Sequence, residues 1–128
     1  MTPPEQIVRR YLALMEARDL EAAQALLAEG FWMEFPGAAR MHSLGALIDW
    51  ARPRYRFVRK TYDHFDTCAA GETAAVYCFG TLAGEWHDGS AFSGIRFIDR
   101  FTVRDGRLID QRVWNDLAEH RAGAPSGG

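Results

Sequence analysis

Apolar positions recur at helical spacing near the start of the chain and at every second residue through its later half, and that change of period sets the expected architecture. Ile7, Tyr11, Leu14 and Met15 share one helical stripe behind Thr2-Pro3-Pro4-Glu5, which has the form of a capping box with proline at the first helical position. The spacing predicts a helix from about Pro3 to Ala17. Asp19 is placed to cap a second helix carrying Leu20, Ala23, Leu26 and Leu27, with Gly30 to end it. Phe31 to Phe35 reads as a short strand stopped by Pro36-Gly37. Ser43 then caps a third helix bearing Leu44, Leu47, Ile48 and Trp50, which ends or kinks at Pro53. Beyond it lie strand-like runs, roughly Phe57 to Cys68, Ala74 to Glu85, Phe92 to Arg104 and Leu108 to Asn115, parted by turn residues at Gly71, Asp88-Gly89 and Asp105-Gly106. Helices followed by an antiparallel meander define an α+β fold.

One charge interrupts the alternation. Ile95, Phe97, Asp99, Phe101 and Val103 share a strand face that is apolar except for its carboxylate. An ionised carboxylate out of water either finds partners or takes up a proton, and the apolar face predicts the second outcome: a neutral Asp99 near neutral pH, facing a closed pocket. The last hairpin decides what lies opposite. A two-residue turn at Asp105-Gly106 sets Asp99 against Arg112 and buries Asp110, Arg112 and Trp114. A three-residue loop, Arg104 to Gly106, sets Asp99 against Gln111 and turns Ile109, Gln111, Val113 and Asn115 inward. The second avoids buried charge and is the expected register.

The 128 residues suffice for one hydrophobic core, so residues 1–121 are read as a single domain and 122–128 as a flexible tail. A net charge of −2 argues against nucleic acid as a partner. The chain shows neither a leader pattern nor an apolar run of membrane-spanning length, so the expectation is a soluble cytoplasmic protein with no membrane partner. Cys68 and Cys78 match no metal or redox spacing and are expected to be free thiols.

Arg10-Tyr11-Leu12 leading to Asp19-Leu20, the string Glu34-Phe35-Pro36-Gly37, the stretch Phe97-Ile98-Asp99-Arg100-Phe101, and Asp105-Gly106-Arg107-Leu108 running into Trp114-Asn115-Asp116 together resemble the nuclear transport factor 2-like superfamily, especially its ketosteroid isomerase and SnoaL-like polyketide cyclase branches. The resemblance covers nearly the whole chain. It implies a cystatin-like α+β barrel: a cone-shaped, curved antiparallel sheet wrapped around the N-terminal helices, with a deep, mostly apolar cavity and a homodimer formed through the sheet. In the isomerases a helix tyrosine and a protonated strand aspartate form the oxyanion hole, and Tyr11 and Asp99 fall at those positions. The isomerase base falls on Phe35 and the cyclase base on Val113, so both familiar proton acceptors are replaced by apolar residues.

Other groups complete the candidate site. Tyr77 shares a strand face with Ala75, Phe79 and Thr81, which the resemblance turns inward. Phe97 lies beside Asp99, and Gln111 and Asn115 are amides able to orient a carbonyl or a water. His42 and His64 are the remaining candidates for a base. His64 with Asp66, or Glu85 with His87, offers two ligands without a third, so no metal is assigned. Arg52, Arg54, Arg56, Arg59 and Lys60 read as a solvated basic face. No glycine-rich phosphate loop or nucleophile elbow is present, and no cofactor is implied. The expected ligand is a small apolar molecule bearing a carbonyl or enol, with Tyr11 and Asp99 stabilising an oxyanion in enolisation, isomerisation or aldol-type cyclisation. The alternative is a non-catalytic ligand-binding or dimerising module. Trp114, on an outward face with Asp110 and Arg112, supports the homodimer.

Overall fold

The computed structural model describes residues 2–123. Helix α1 (Pro4–Glu16) and the single turn α2 (Leu20–Gln24) precede β1 (Leu27–Glu34). Helix α3 (Leu44–Ala51) is followed by β2 (Phe57–Ala70), β3 (Thr73–Glu85), β4 (Ala91–Arg104), β5 (Arg107–Asn115) and α4 (Leu117–Gly123). The strands form one curved, open sheet in the order β1-β5-β4-β3-β2. Neighbours β2 to β5 pair antiparallel, whereas β1 pairs with β5 in parallel, so the sheet is mixed where a wholly antiparallel one was expected.

Local chemistry explains most boundaries. Asp19 accepts from the Ala22 N–H at 3.3 Å and Ser43 from the Ala46 N–H at 3.1 Å, each satisfying an orphan donor at a helix start. The expected capping box does not form: Pro3 is the N-cap of α1, with no side-chain cap. Gly30 does not end a helix, because Leu27 already belongs to β1; its φ of +79° accompanies the register break between Leu27 and Trp32. The apolar stripe of α1, Ile7, Val8, Tyr11, Leu12 and Met15, is buried against the concave face of the sheet. That face presents Val76, Cys78 and Leu82 from β3 and Ile95, Phe97, Asp99, Phe101 and Val103 from β4. Tyr11 meets Phe101 edge to face, with ring centroids 5.8 Å apart.

The last hairpin takes neither expected register. Arg104 pairs with Arg107 across a two-residue turn, with φ of +51° at Asp105 and +76° at Gly106, the left-handed pair that matches strand twist. A bulge between the Val103–Leu108 and Thr102–Asp110 pairs then shifts the ladder and sets Asp99 opposite Val113. The bulge turns Gln111 and Val113 to the concave side, as the longer loop would have done, but brings Leu108 inward in place of Ile109.

Helix α4 is an element the hydrophobic pattern did not predict; it packs on β4 through Leu117. The expected tail from Ala122 lies, apart from the end of α4, outside the described residues. No helix among the described residues is long and apolar enough to cross a membrane.

Candidate functional site

A cavity of about 130 Å³ opens between α1, α3 and the concave face of the sheet. Its buried end is formed by Tyr11 and Leu12 of α1 and Gln111 of β5; Phe35, Leu47 and Val58 supply apolar wall, and Glu16 and Arg18 stand at its exposed end. An apolar wall with a few converging polar groups is the usual form of a small-molecule site. The volume is close to that of a cavity of about 150 Å³ that accommodates benzene, so the space holds one ring rather than several.

The polar end is built around Asp99. Its side chain is 0% exposed, and it accepts a 2.5 Å hydrogen bond from the ammonium of Lys60. The expected neutral acid is therefore replaced by a carboxylate in an ion pair. Lys60 is also not part of a solvated basic face: alternation along β2 places Val58, Lys60 and Tyr62 on the concave side, and the Lys60 side chain is 23% exposed. Burial draws the Lys60 ammonium towards deprotonation, but the Asp99 charge and hydrogen bond outweigh it, and the net shift is upward. Lys60 stays a cation. Its ammonium lies 5.1 Å from the ring of Phe97, which is buried beneath the cavity rather than on its wall.

Burial and then the Asp99 charge push the Tyr11 hydroxyl well above the ordinary phenol range. The Tyr11 hydroxyl, Asp99 Oδ1 and Gln111 Oε1 are buried without a hydrogen-bond partner among the described residues. Such groups cost free energy unless something pairs with them, and Tyr11 and Gln111 both line the cavity. Burial also pushes the Tyr62 hydroxyl up to about 12, with Lys60 opposing and Cys78, Asp99 and Glu16 reinforcing. The Cys78 thiol, opposite Asp99, rises to about 12 through burial and then the Asp99 charge.

The remaining expected residues divide. Phe35 lines the cavity and packs on Trp50 at 5.2 Å; Val113 is buried opposite Asp99. Tyr77 does not face inward: because Cys78 is the residue opposite Asp99, its neighbour lies on the convex face, where its hydroxyl accepts from Arg100 Nε at 3.2 Å. Asn115 is not at the cavity, and its Oδ1 accepts from Leu117 N–H at 3.2 Å where α4 begins. His42 is exposed ahead of α3. His64 stacks on Phe79 on the convex face, 3.4 Å from Asp66; among the described residues no third His, Cys, Asp or Glu joins them. Glu85 is held by Arg56 at 2.8 Å and His87 by the Arg52 carbonyl at 2.6 Å, so that pair is drawn to different partners. Arg52, too, is paired, with Asp49.

Sequence reasoning missed Lys60, Tyr55, Tyr62, Glu16 and Arg18. For Lys60 and Tyr62 the signal was present, in their shared parity with Val58.

A curved sheet laid over one long helix, with a small cavity between them, is the cystatin-like fold of solved nuclear transport factor 2-like proteins. The chain belongs to the SnoaL-like domain family, whose model matches residues 8–111. Among solved structures it is similar to a nuclear transport factor 2-like protein of unknown function from Burkholderia pseudomallei, at 20% identity and a TM-score of 0.80, covering 98% of this chain and 100% of that one. TerC co-crystallised with polyporic acid matches at 14% identity and a TM-score of 0.76, covering 94% and 97%. A candidate polyketide cyclase from Xanthomonas campestris pv. campestris matches at 16% and 0.66, covering 92% and 93%. At these identities the likeness is one of fold. No curated protein matches the sequence.

Proposed function

We propose that the cavity binds a small, mostly apolar molecule of about one ring, whose carbonyl or enol oxygen is met by the Tyr11 hydroxyl and by the Lys60 ammonium that Asp99 holds. The observation that carries this reading is the buried, unpartnered Tyr11 hydroxyl on the lining of a ring-sized cavity, beside a buried ion pair. Donors fixed at a developing oxyanion stabilise it more than they stabilise the parent carbonyl, which favours enolisation, isomerisation or aldol-type ring closure. The lining carries one carboxylate, Glu16, as a candidate proton acceptor at the open end. A candidate polyketide cyclase among the structural neighbours and a neighbour crystallised with polyporic acid are consistent with small-molecule chemistry on this fold.

The test is calorimetric titration with phenol, together with NMR of hydrogen–deuterium exchange alpha to the carbonyl of a six-membered ring ketone. Phenol is expected to bind, Tyr11→Phe to weaken it, and Tyr11→Phe with Asp99→Asn to lose less than the sum of the two. Failure of wild type to bind any ring-sized probe overturns the proposal. Phe35 and Val113, apolar at both familiar base positions, favour a second reading, a binding module without catalysis. Tight binding with exchange no faster than in buffer is its signature. A homodimer through the convex face is part of the proposal: Trp114 is 52% exposed there, and an aromatic so placed is commonly covered. Sedimentation giving only monomer at micromolar concentration counts against it.

A further inference from the structure

We propose that the cavity takes its ligand as a monoanion, a ring-sized carboxylate or ionised enol whose negative end lies against Lys60, between the Tyr11 hydroxyl and the side of the wall formed by Tyr55 and Arg18. The inference rests on the cavity being the ligand site and adds the charge state that the site selects.

Its basis is the arrangement of charge around the lining. Lys60 and Arg18 both line the cavity, against the single carboxylate of Glu16. Asp99 lies behind Lys60, wholly buried and off the lining, and occupies one of the three ammonium donors. Two donors are left for a ligand. On the adjoining surface Arg52 is paired with Asp49 at 3.1 Å and Arg56 with Glu85 at 2.8 Å. Arg18 and Arg54 have no such carboxylate partner among the described residues: Arg18 donates to the Met15 carbonyl at 3.0 Å and Arg54 lies over the Trp50 ring. These two flank Tyr55, the lining residue whose neighbouring charges are all cations. Burial raises its hydroxyl, and Lys60, Arg54 and Arg18 each pull the other way. At Tyr11 the Asp99 carboxylate acts in the opposite sense, and at Tyr62 it opposes Lys60. The cavity is thus polarised, positive towards Tyr55 and negative behind Tyr11. A neutral ketone gains little from that polarity, whereas an anion is oriented by it and meets donors that a charge-assisted hydrogen bond strengthens.

The experiment compares two probes of nearly equal shape, benzoate and benzamide, by calorimetry at low salt, and adds 4-nitrophenol, whose ionised form is read by its visible absorbance. Benzoate is expected to bind about tenfold more tightly than benzamide, and bound 4-nitrophenol to ionise about one pH unit lower than free. Arg18→Gln, at an exposed position, is expected to narrow the benzoate preference two- to threefold, on the order of one weak charge contact. Lys60→Gln combined with Asp99→Asn removes both charges without leaving either one buried alone, and is expected to abolish the preference while benzamide still binds. Lys60→Arg is expected to keep it. Benzamide binding as tightly as benzoate, or 4-nitrophenol ionising at higher pH when bound, overturns the inference and leaves the cavity as the ligand site. If neither probe binds, both readings fall together.

Discussion

Removing Lys60 isolates the contribution of the buried pair. In Lys60→Met the Asp99 carboxylate, 0% exposed, loses the only hydrogen bond it has among the described residues, the 2.5 Å contact from the ammonium. At an effective dielectric of about 20 and a charge separation of about 4 Å, the lost attraction is about 4 kcal/mol. Breaking a buried pair by deleting one partner typically costs about 3–5 kcal/mol, because the charge left behind stays desolvated. That is about a fifth or more of the roughly 5–15 kcal/mol that stabilises a typical domain. Asp99→Asn is expected to cost less, about 1–2 kcal/mol, because the asparagine carbonyl can still accept from the ammonium and the Lys60 side chain, 23% exposed, has a long stem that can turn the charge towards water. The double variant Lys60→Met with Asp99→Asn leaves no charge and is expected to lie near Asp99→Asn alone, giving a coupling of about 4 kcal/mol.

Urea unfolding followed by near-ultraviolet circular dichroism at pH 7 measures all four chains. The Lys60→Met deficit is expected to shrink as pH falls. Protonating the isolated carboxylate removes the buried charge, so the native state binds a proton that the unfolded state has released, and stability rises towards acid. A Lys60→Met midpoint equal to wild type, or a deficit unchanged between pH 7 and pH 4, refutes the ion pair.

Further outcomes follow from single positions. Gly80→Ala is expected to destabilise by about 3 kcal/mol, because a Cβ there falls 2.0 Å from the Thr61 carbonyl oxygen and 2.9 Å from the Phe97 ring; an unchanged urea midpoint refutes that packing. A chromogenic thiol reagent at pH 8 is expected to label the exposed Cys68 quickly and the buried Cys78, whose thiol is raised to about 12, only on unfolding; equal rates refute the burial. Tyr11 and Tyr62 stay neutral in the fold above the ordinary phenol value of 10.0, so the unfolded chain releases those protons first. Their contribution is intact below about pH 10 and is lost as pH rises, and spectrophotometric titration is expected to show both hydroxyls ionising only above that value.

Local chemistry made several elements legible in the sequence. Asp19 and Ser43 announce helix starts because a cap is a contact between near neighbours, and Asp105-Gly106 announces its turn because both residues accept a left-handed backbone. Leu26 and Leu27 misled, since a short apolar run suits a helix end and a strand start equally; pairing of β1 with β5 decides it. The direction of that pairing is absent from the alternation pattern, which records faces and not neighbours. The bulge after the last turn was also hidden, although avoidance of buried charge correctly turned Gln111 and Val113 inward. Helix α4 gave no signal beyond Leu117, because its other residues are small or charged.

The site shows where reading one strand at a time stops. Alternation in β4 identifies Asp99 as a buried carboxylate, and physical chemistry then requires either a proton or a cation. Choosing between them needs β2, where Lys60 has the right parity but was grouped with its arginine neighbours by charge density. On β3 the residue paired with Lys60 is Leu82 and the residue paired with Asp99 is Cys78; between them on the concave face stands Gly80, flanked by Tyr62 and Phe97. A Cβ at Gly80 would meet the Thr61 carbonyl and the Phe97 ring, and the same ring lies beside the Lys60 ammonium that reaches Asp99. The glycine therefore permits the close approach of β2 to β3 and leaves the Phe97 ring in its place beside Lys60. This ties the Gly80→Ala and Lys60→Met perturbations together through their shared neighbour: combined, they are expected to destabilise by less than the sum of their separate effects, and strict additivity would show that the Phe97 ring plays no part in holding the pair.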